Sequence, residues 1–111
     1  AREISGDALR GHLATLLLAA LEAGPAHGFD LLKRLETAGC GLLKLKEGSV
    51  YPALYRLERD GLVVAAWEAE SERRGPRRRI YQLSDKGRQR LAEGRAEWKQ
   101  FVTVLGAIVG A

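Results

Sequence analysis

Apolar residues recur at helical spacing through the first half of the chain. Leu9, Leu13, Leu16, Leu17, Ala20 and Leu21 share one helical stripe, which predicts a first helix over about residues 7–23. Leu18 and Ala14 lie off that stripe, so the apolar surface is wider than one core face needs; the pair meets a second subunit or is buried deeper in one. Gly24 and Pro25 stop this helix. A second helix is expected from Ala26 or His27 to Ala38, with Phe29, Leu32 and Leu35 inward, Lys33, Arg34 and Glu36 solvated, and Gly39 at its exit. The weak alternation of Leu42, Leu43, Lys44, Leu45 and Lys46 fits a very short strand or a linker. Val50, Ala53, Leu54 and Leu57 then fall at i, i+3, i+4 and i+7, the core stripe of a third helix over residues 49–60.

The opposite side of that third helix carries Pro52, Tyr55, Arg56 and Arg59, with Ser49 and Tyr51 near its start. Ser49 is expected to be the N-cap, Pro52 to be tolerated in the first turn, and Gly61 to supply the left-handed exit. Such a donor-rich face suits phosphates and base edges, although an ordinary solvated helix face has a similar composition. Two helices, a short connection and a third helix make the arrangement of a helix-turn-helix.

Past Gly61 the period changes to two. Val63, Ala65, Trp67 and Ala69 lie on one side of residues 62–71, with Glu68 and Glu70 on the other. Gly75 and Pro76 sit inside a charged run, and Tyr81 and Leu83 share a face beyond it, so strand, turn and strand predict a β-hairpin wing. Ser84 is placed to cap a final helix from Asp85 towards Val109. Along it Leu91, Trp98, Phe101, Leu105 and Ile108 fall near heptad a and d positions, with Val102 and Val109 alongside and Gly94 as an exception. That stripe outgrows what a small winged domain covers, so it pairs with its copy or packs on the first helix; Gly94, Gly106 and Gly110 predict fraying of the last turn.

The expected fold is mainly α with a small β-hairpin wing: a winged helix-turn-helix over residues 1–83 and a long C-terminal dimerisation helix over residues 84–111, in one compact unit. A chain of 111 residues allows one domain with a modest core. Eighteen Lys plus Arg against fourteen Asp plus Glu give a net charge of +4, which permits an anionic partner without demanding one. Distribution adds more, because Arg73, Arg74, Arg77, Arg78 and Arg79 crowd into seven residues of the wing, a nucleic-acid patch or a solvated loop tip. The single Cys40 excludes an internal disulfide and fits a reducing compartment. With no signal peptide and no apolar run of spanning length, a cytoplasmic protein without a membrane partner is expected; Ala1 in place of an initiator Met suggests processing or a trimmed end.

An enzyme finds little support. His12 and His27 are isolated, no Cys/His cluster has metal spacing, and no phosphate-binding glycine loop is present, so neither cofactor nor metal is expected. Cys40, between Gly39 and Gly41, is a passive residue or a redox-sensing thiol.

Three pieces together resemble the PadR family of bacterial winged-helix transcriptional regulators, in the short form without a separate C-terminal domain. They are Gly48-Ser49-Val50-Tyr51-Pro52-Ala53-Leu54 with Leu57-Glu58 and Asp60-Gly61-Leu62; Gly75-Pro76-Arg77 leading to Tyr81-Gln82-Leu83; and Ser84-Asp85-Lys86-Gly87-Arg88. The resemblance runs from Leu13 through the last helix. It implies a homodimer clasped by the first and last helices, which binds double-stranded DNA at a roughly palindromic operator and represses transcription until an effector intervenes. By motif, Ser49, Tyr51, Pro52 and Arg56 stand where the family's recognition helix meets DNA, and Arg77, Arg78 and Arg79 stand on its wing. The residue pattern adds Lys46, Tyr55, Arg59, Arg73 and Arg74 to the DNA-binding candidates. Two positions depart from the family: Phe29 follows His27-Gly28 where Tyr is frequent, and Ile80-Tyr81 replaces an aromatic pair.

On physical grounds the wing arginines supply sequence-independent affinity and the third helix supplies base reading, with two such helices about 34–36 Å apart in a dimer. Dimer-interface candidates are Leu9, Leu13, Leu91, Trp98, Phe101, Val102, Leu105 and Ile108. Some short members of the resembling family bind flat aromatic or cationic compounds between paired tryptophans at the dimer centre, which makes Trp98, with Phe101 and Leu17 or Leu18, candidates to line a site for a small aromatic effector; plain dimer core is the alternative. The rival to DNA binding is a winged helix used only as a protein-interaction module.

Overall fold

The computed structural model describes residues 2–6, 8–69 and 75–111. Three helices, α1 (Leu13–Leu21), α2 (Gly28–Ala38) and α3 (Glu47–Arg59), precede a hairpin of β1 (Val63–Trp67) and β2 (Arg79–Leu83), and α4 (Asp85–Val109) follows. This is a winged helix-turn-helix extended by one long helix, as the hydrophobic pattern predicts.

The boundaries differ at the start. α1 begins at Leu13, because Gly11 takes a left-handed φ of +87° that a continuing helix excludes; the expected start at Asp7 lies outside the described residues. Ile4 instead pairs with the 42–44 segment, its amide donating to the Leu42 carbonyl at 2.6 Å and its carbonyl accepting from the Lys44 amide at 2.9 Å. That segment therefore forms an isolated bridge rather than a strand of the wing sheet.

Leu17, Leu18, Leu31, Val50, Leu54, Val63 and Leu91 are fully buried and form the centre of one core. Leu18, off the stripe in sequence, is thus a core residue and not a contact for a second subunit: α1 is enclosed by α2, α3, α4 and β2, which uses more than one of its faces. Phe29 is the opposite case. It is 47% exposed, and Leu31 takes the inward position beside Leu32 and Leu35. Arg34, expected in solvent, closes the turn between α1 and α2 by donating to the carbonyls of Ala20, Gly24 and Pro25 at 3.1, 2.7 and 3.2 Å.

The two helices nearest the wing, α2 and α3, end in the same way. At the exit of α3 the Gly61 amide donates to Glu58 and the Leu62 amide to Leu57, with Gly61 at φ +75°. At the exit of α2 the Cys40 amide donates to Thr37 and the Gly41 amide to Glu36, which places Cys40 at φ +56° in the left-handed position that glycine fills elsewhere.

In the hairpin, Val63, Ala65 and Trp67 pair with Leu83, Tyr81 and Arg79. Tyr81 also exchanges both backbone bonds with Ala26, which fastens the wing to the loop before α2. Ser84 caps α4 as expected, its Oγ accepting from the Gly87 amide at 3.0 Å. Gly87 and Gly94 are contact residues. A Cβ at Gly87 would overlap the Leu62 carbonyl oxygen, and one at Gly94 would stand 2.8 Å from Thr15 Oγ1, so these glycines let α4 lie close on the wing base and on α1. The helix keeps its form to Val109 and closes on left-handed Gly110 without an early break.

Cys40→Gly is expected to stabilise the fold by about 0.5–1 kcal/mol, the relief of a left-handed side chain less the added freedom of the unfolded chain. A rise in the denaturant midpoint at fixed protein concentration checks this; a fall would mean that the exposed thiol makes a compensating contact.

Candidate nucleic-acid interface

α3 is positioned by Val50, Ala53, Leu54 and Leu57, all buried, and this anchoring turns Ser49, Tyr51, Pro52, Tyr55, Arg56 and Arg59 outward together. Lys46, just before the helix, is exposed as well. Two local expectations need correction. The N-cap is Lys46, without a side-chain cap bond, so Ser49 lies within the helix. Pro52 consequently sits in the second turn and cannot donate to the Gly48 carbonyl; it is tolerated because this stretch of α3 faces solvent.

Gly28, the first residue of α2, has an equally specific role. A Cβ there would stand 2.5 Å from the Tyr51 ring, so its absence lets Tyr51 lie directly against the start of α2. Between them and the wing opens a cleft of about 470 Å³ lined by His27, Phe29, Tyr51, Tyr81, Pro76 and the three arginines Arg77, Arg78 and Arg79, among others. Phe29 thus belongs to this cleft instead of the core. Its ring lies under Lys33, whose Nζ is 4.6 Å from the ring centroid. The cleft joins three features that suit an anion: a helix N-terminus, arginines and ring edges.

His27 organises the cleft wall. Its Nδ1 accepts from the Asp30 amide at 3.2 Å, while its Nε2 stands 3.1 Å from Asp30 Oδ2 and 2.6 Å from Arg78 Nη1. A neutral imidazole has one acceptor nitrogen, so it serves either the amide of its own helix or Arg78, not both. The contact to Arg78 therefore competes with the cap of α2, and another acceptor for Arg78 would resolve the conflict.

Arg73 and Arg74 lie outside the described residues. Arg77 and Arg78 are exposed, and the Arg78 amide donates to Glu68 Oε1 at 3.0 Å, which holds the base of the wing turn. Arg79 differs from both. It faces inward beneath the hairpin, where Nη2 donates to Glu58 Oε2 at 2.6 Å and Cζ lies 5.4 Å from the centre of the Trp67 ring. The Glu58 carboxylate, through that bond, holds the Arg79 guanidinium above its usual range. Burial likewise pushes the Tyr81 phenol up. Arg59 is bound sideways to its neighbour, Nε donating to Asp60 Oδ1 at 3.1 Å, and the same bond holds the Asp60 carboxyl below its usual range.

A second exposed region lies on α4. Trp98 and Phe101 stack with centroids 5.6 Å apart, and His12 meets both edge-on at 5.4 and 5.7 Å. Beyond them Val102, Leu105 and Ile108 continue the stripe in solvent. Leu9 and Leu13 are half-buried against the core. Leu17, Leu18 and Leu91 must be withdrawn from the effector and interface candidates, because fully buried side chains have no surface to offer a ligand or a second chain. Among the described residues no helix is long and apolar enough to cross a membrane, and no group of three metal-ligating side chains occurs.

Similarity to known proteins agrees with this geometry. A regulator from Clostridium thermocellum superposes with a TM-score of 0.84 at 26% identity, covering 94% of this chain and 99% of that one. A PadR-like transcriptional regulator from Bacillus cereus superposes with a TM-score of 0.77 at 27% identity, over 96% and 99% of the two chains. The transcriptional regulator Rv3488 of Mycobacterium tuberculosis is 35% identical over 81 residues, 72% of this chain and 70% of that protein. The family model of the transcriptional regulator PadR-like family matches residues 17–93, from the centre of α1 into α4. The chain belongs to the PadR-like family of transcriptional regulators, and is a regulator rather than an enzyme.

Proposed function

We propose that the protein is a cytoplasmic, homodimeric repressor that binds a roughly palindromic DNA operator and is released by a small planar aromatic effector. The observation that carries this reading is the separation of two surfaces: Tyr51 from the donor face of α3, the start of α2 and the wing arginines line one cleft, while the second half of α4 exposes an apolar stripe. α3 reads base edges with Ser49, Tyr51, Tyr55 and Arg56, and Arg77 and Arg78 neutralise phosphates beside it. The conflict at His27 supports Arg78 in that role, since a phosphate that takes Arg78 leaves His27 to its helix cap alone. Trp98, Phe101, Val102, Leu105 and Ile108 pack against the same residues of a second copy, and the stacked ring pair, with His12 across it, offers flat surfaces to an aromatic ligand.

Anisotropy titration of DNA from the gene's own upstream region, beside a scrambled duplex, tests the reading. Replacing Arg77 and Arg78 by alanine is expected to flatten the fall of log K with log salt by about 0.9 for each phosphate no longer neutralised. An unchanged slope places the contacts elsewhere, and no binding by the intact protein favours the protein-interaction module.

Leu105→Glu is expected to reduce the mass measured by light scattering from two chains to one and to weaken DNA binding with it, because a charge within a paired apolar stripe must be desolvated. A variant that keeps the mass of two chains puts the interface elsewhere.

Planar aromatic compounds are expected to quench Trp98 emission in a Trp67→Phe background and to lower DNA affinity in the same concentration range. Unchanged emission removes the effector site from this helix.

A further inference from the structure

The geometry points to Arg79 as the anchor that sets the wing against α3, held in a socket of Glu58 and Trp67, and not as a phosphate ligand. This rests on the DNA-binding reading above and refines the part each wing residue plays in it.

The strand register comes first. Side chains alternate across a hairpin, so Arg79 lies on the face of Tyr81 and Leu83, and its cross-strand partner Trp67 lies on the face of Val63 and Ala65. That is the core-facing side. The core ends at Tyr81, and at the next pair outward an indole and a guanidinium continue the inner layer. Trp67 is 61% exposed, yet it supplies a flat floor for the guanidinium. Glu58, the residue after Leu57 in the last turn of α3, closes the socket with its 2.6 Å bond, and the two side chains are about one-third exposed, at 35% and 32%.

Charge is balanced inside the socket. Paired with Glu58 the unit is neutral, so it attracts few counterions and releases few on contact with DNA. A second cleft, lined by Tyr55, Glu58, Arg59, Trp67, Arg79 and Tyr81, opens at the socket, and the Glu58–Arg79 bridge ties the outer wing to the helix across it. Loosening it changes the distance between the base-reading helix and the phosphate-binding turn. Specific affinity falls while the number of phosphates contacted stays the same.

Glu58→Gln discriminates the two roles by sign. Removal of a negative charge beside DNA strengthens binding if Arg79 is a phosphate ligand restrained by Glu58; it weakens binding several-fold if Glu58 holds the anchor. Arg79→Ala is expected to lower log K at every salt concentration along a line parallel to that of the intact protein. A slope flatter by about 0.9 per subunit, or tighter binding by Glu58→Gln, overturns the proposal.

A DNA-free arm keeps the socket testable if the intact protein binds no duplex, an outcome that would count against the DNA-binding reading alone. In a Trp98→Phe background, Glu58→Gln and Arg79→Ala are each expected to shift Trp67 emission and raise its quenching by acrylamide. Spectra identical to that of the background overturn the socket. A charge-exchanged pair, Glu58→Arg with Arg79→Glu, is expected to recover emission and part of the affinity, which a general loss of folding would not allow.

Discussion

A helix leaves its last carbonyl groups without amide partners, and the way α3 satisfies its own determines how the subunit is joined. The amides of Gly61 and Leu62 turn back onto Glu58 and Leu57. The carbonyls of Asp60 and Gly61 are taken by Lys86 Nζ at 2.9 Å and Ser84 Oγ at 2.7 Å, both from the beginning of the last helix. The Leu62 carbonyl accepts from the Ser84 amide at 3.2 Å and lies where any side chain at Gly87 would be. The end of the base-reading candidate and the start of the longest helix are thereby one junction, with the wing as a loop hung from it. A tilt of α4 would be carried directly to α3.

The same economy governs charge. The net charge of +4 is small for a nucleic-acid partner, but several arginines away from the wing turn already have protein acceptors. Arg34 serves backbone carbonyls, Arg79 serves Glu58, Arg59 serves Asp60, and Arg95 grips both oxygens of Glu22 at 2.6 and 3.0 Å. Exposed pairs of this kind add little stability. Their effect is to offset part of the positive charge locally, while Arg77 and Arg78 stand exposed at the border of the cleft. A local arrangement, rather than a basic composition, suits the protein to an anionic partner.

Most of the fold was legible because one face of each element is apolar. Val50 to Leu57 placed α3, the two-residue period placed the hairpin, and Ser84 placed the start of α4. What escaped depends on more than one partner. Leu18 looked surplus only because a stripe assumes a single neighbour, whereas α1 has four. Phe29 looked like core by hydropathy alone, yet Leu31 already fills that direction. In the candidate site the outward face of α3 was readable from the core stripe that fixes its opposite. Density of charge groups Arg79 with its neighbours, although the alternation that joins Tyr81 to Leu83 also puts Arg79 on the inner face; the signal is present and composition outweighs it. The cleft at His27, Tyr51 and the wing joins residues far apart in sequence and needed the fold itself.

One length remains unmatched. α1 has 9 residues and α4 has 25, about 13 and 37 Å at the rise of an α-helix, so α1 cannot cover the whole of α4. The cover ends at the ring cluster: Thr15 meets Gly94, His12 meets Trp98 and Phe101, and past these the stripe is bare to Ile108. Exposed apolar side chains in such a row are what a second chain buries. The three rings therefore stand where the cover by α1 ends, touching α1 and α4 together. A molecule seated there would act on the angle between these helices, and through the junction of Ser84 and Gly87 with the end of α3 that angle would reach the outward face of α3.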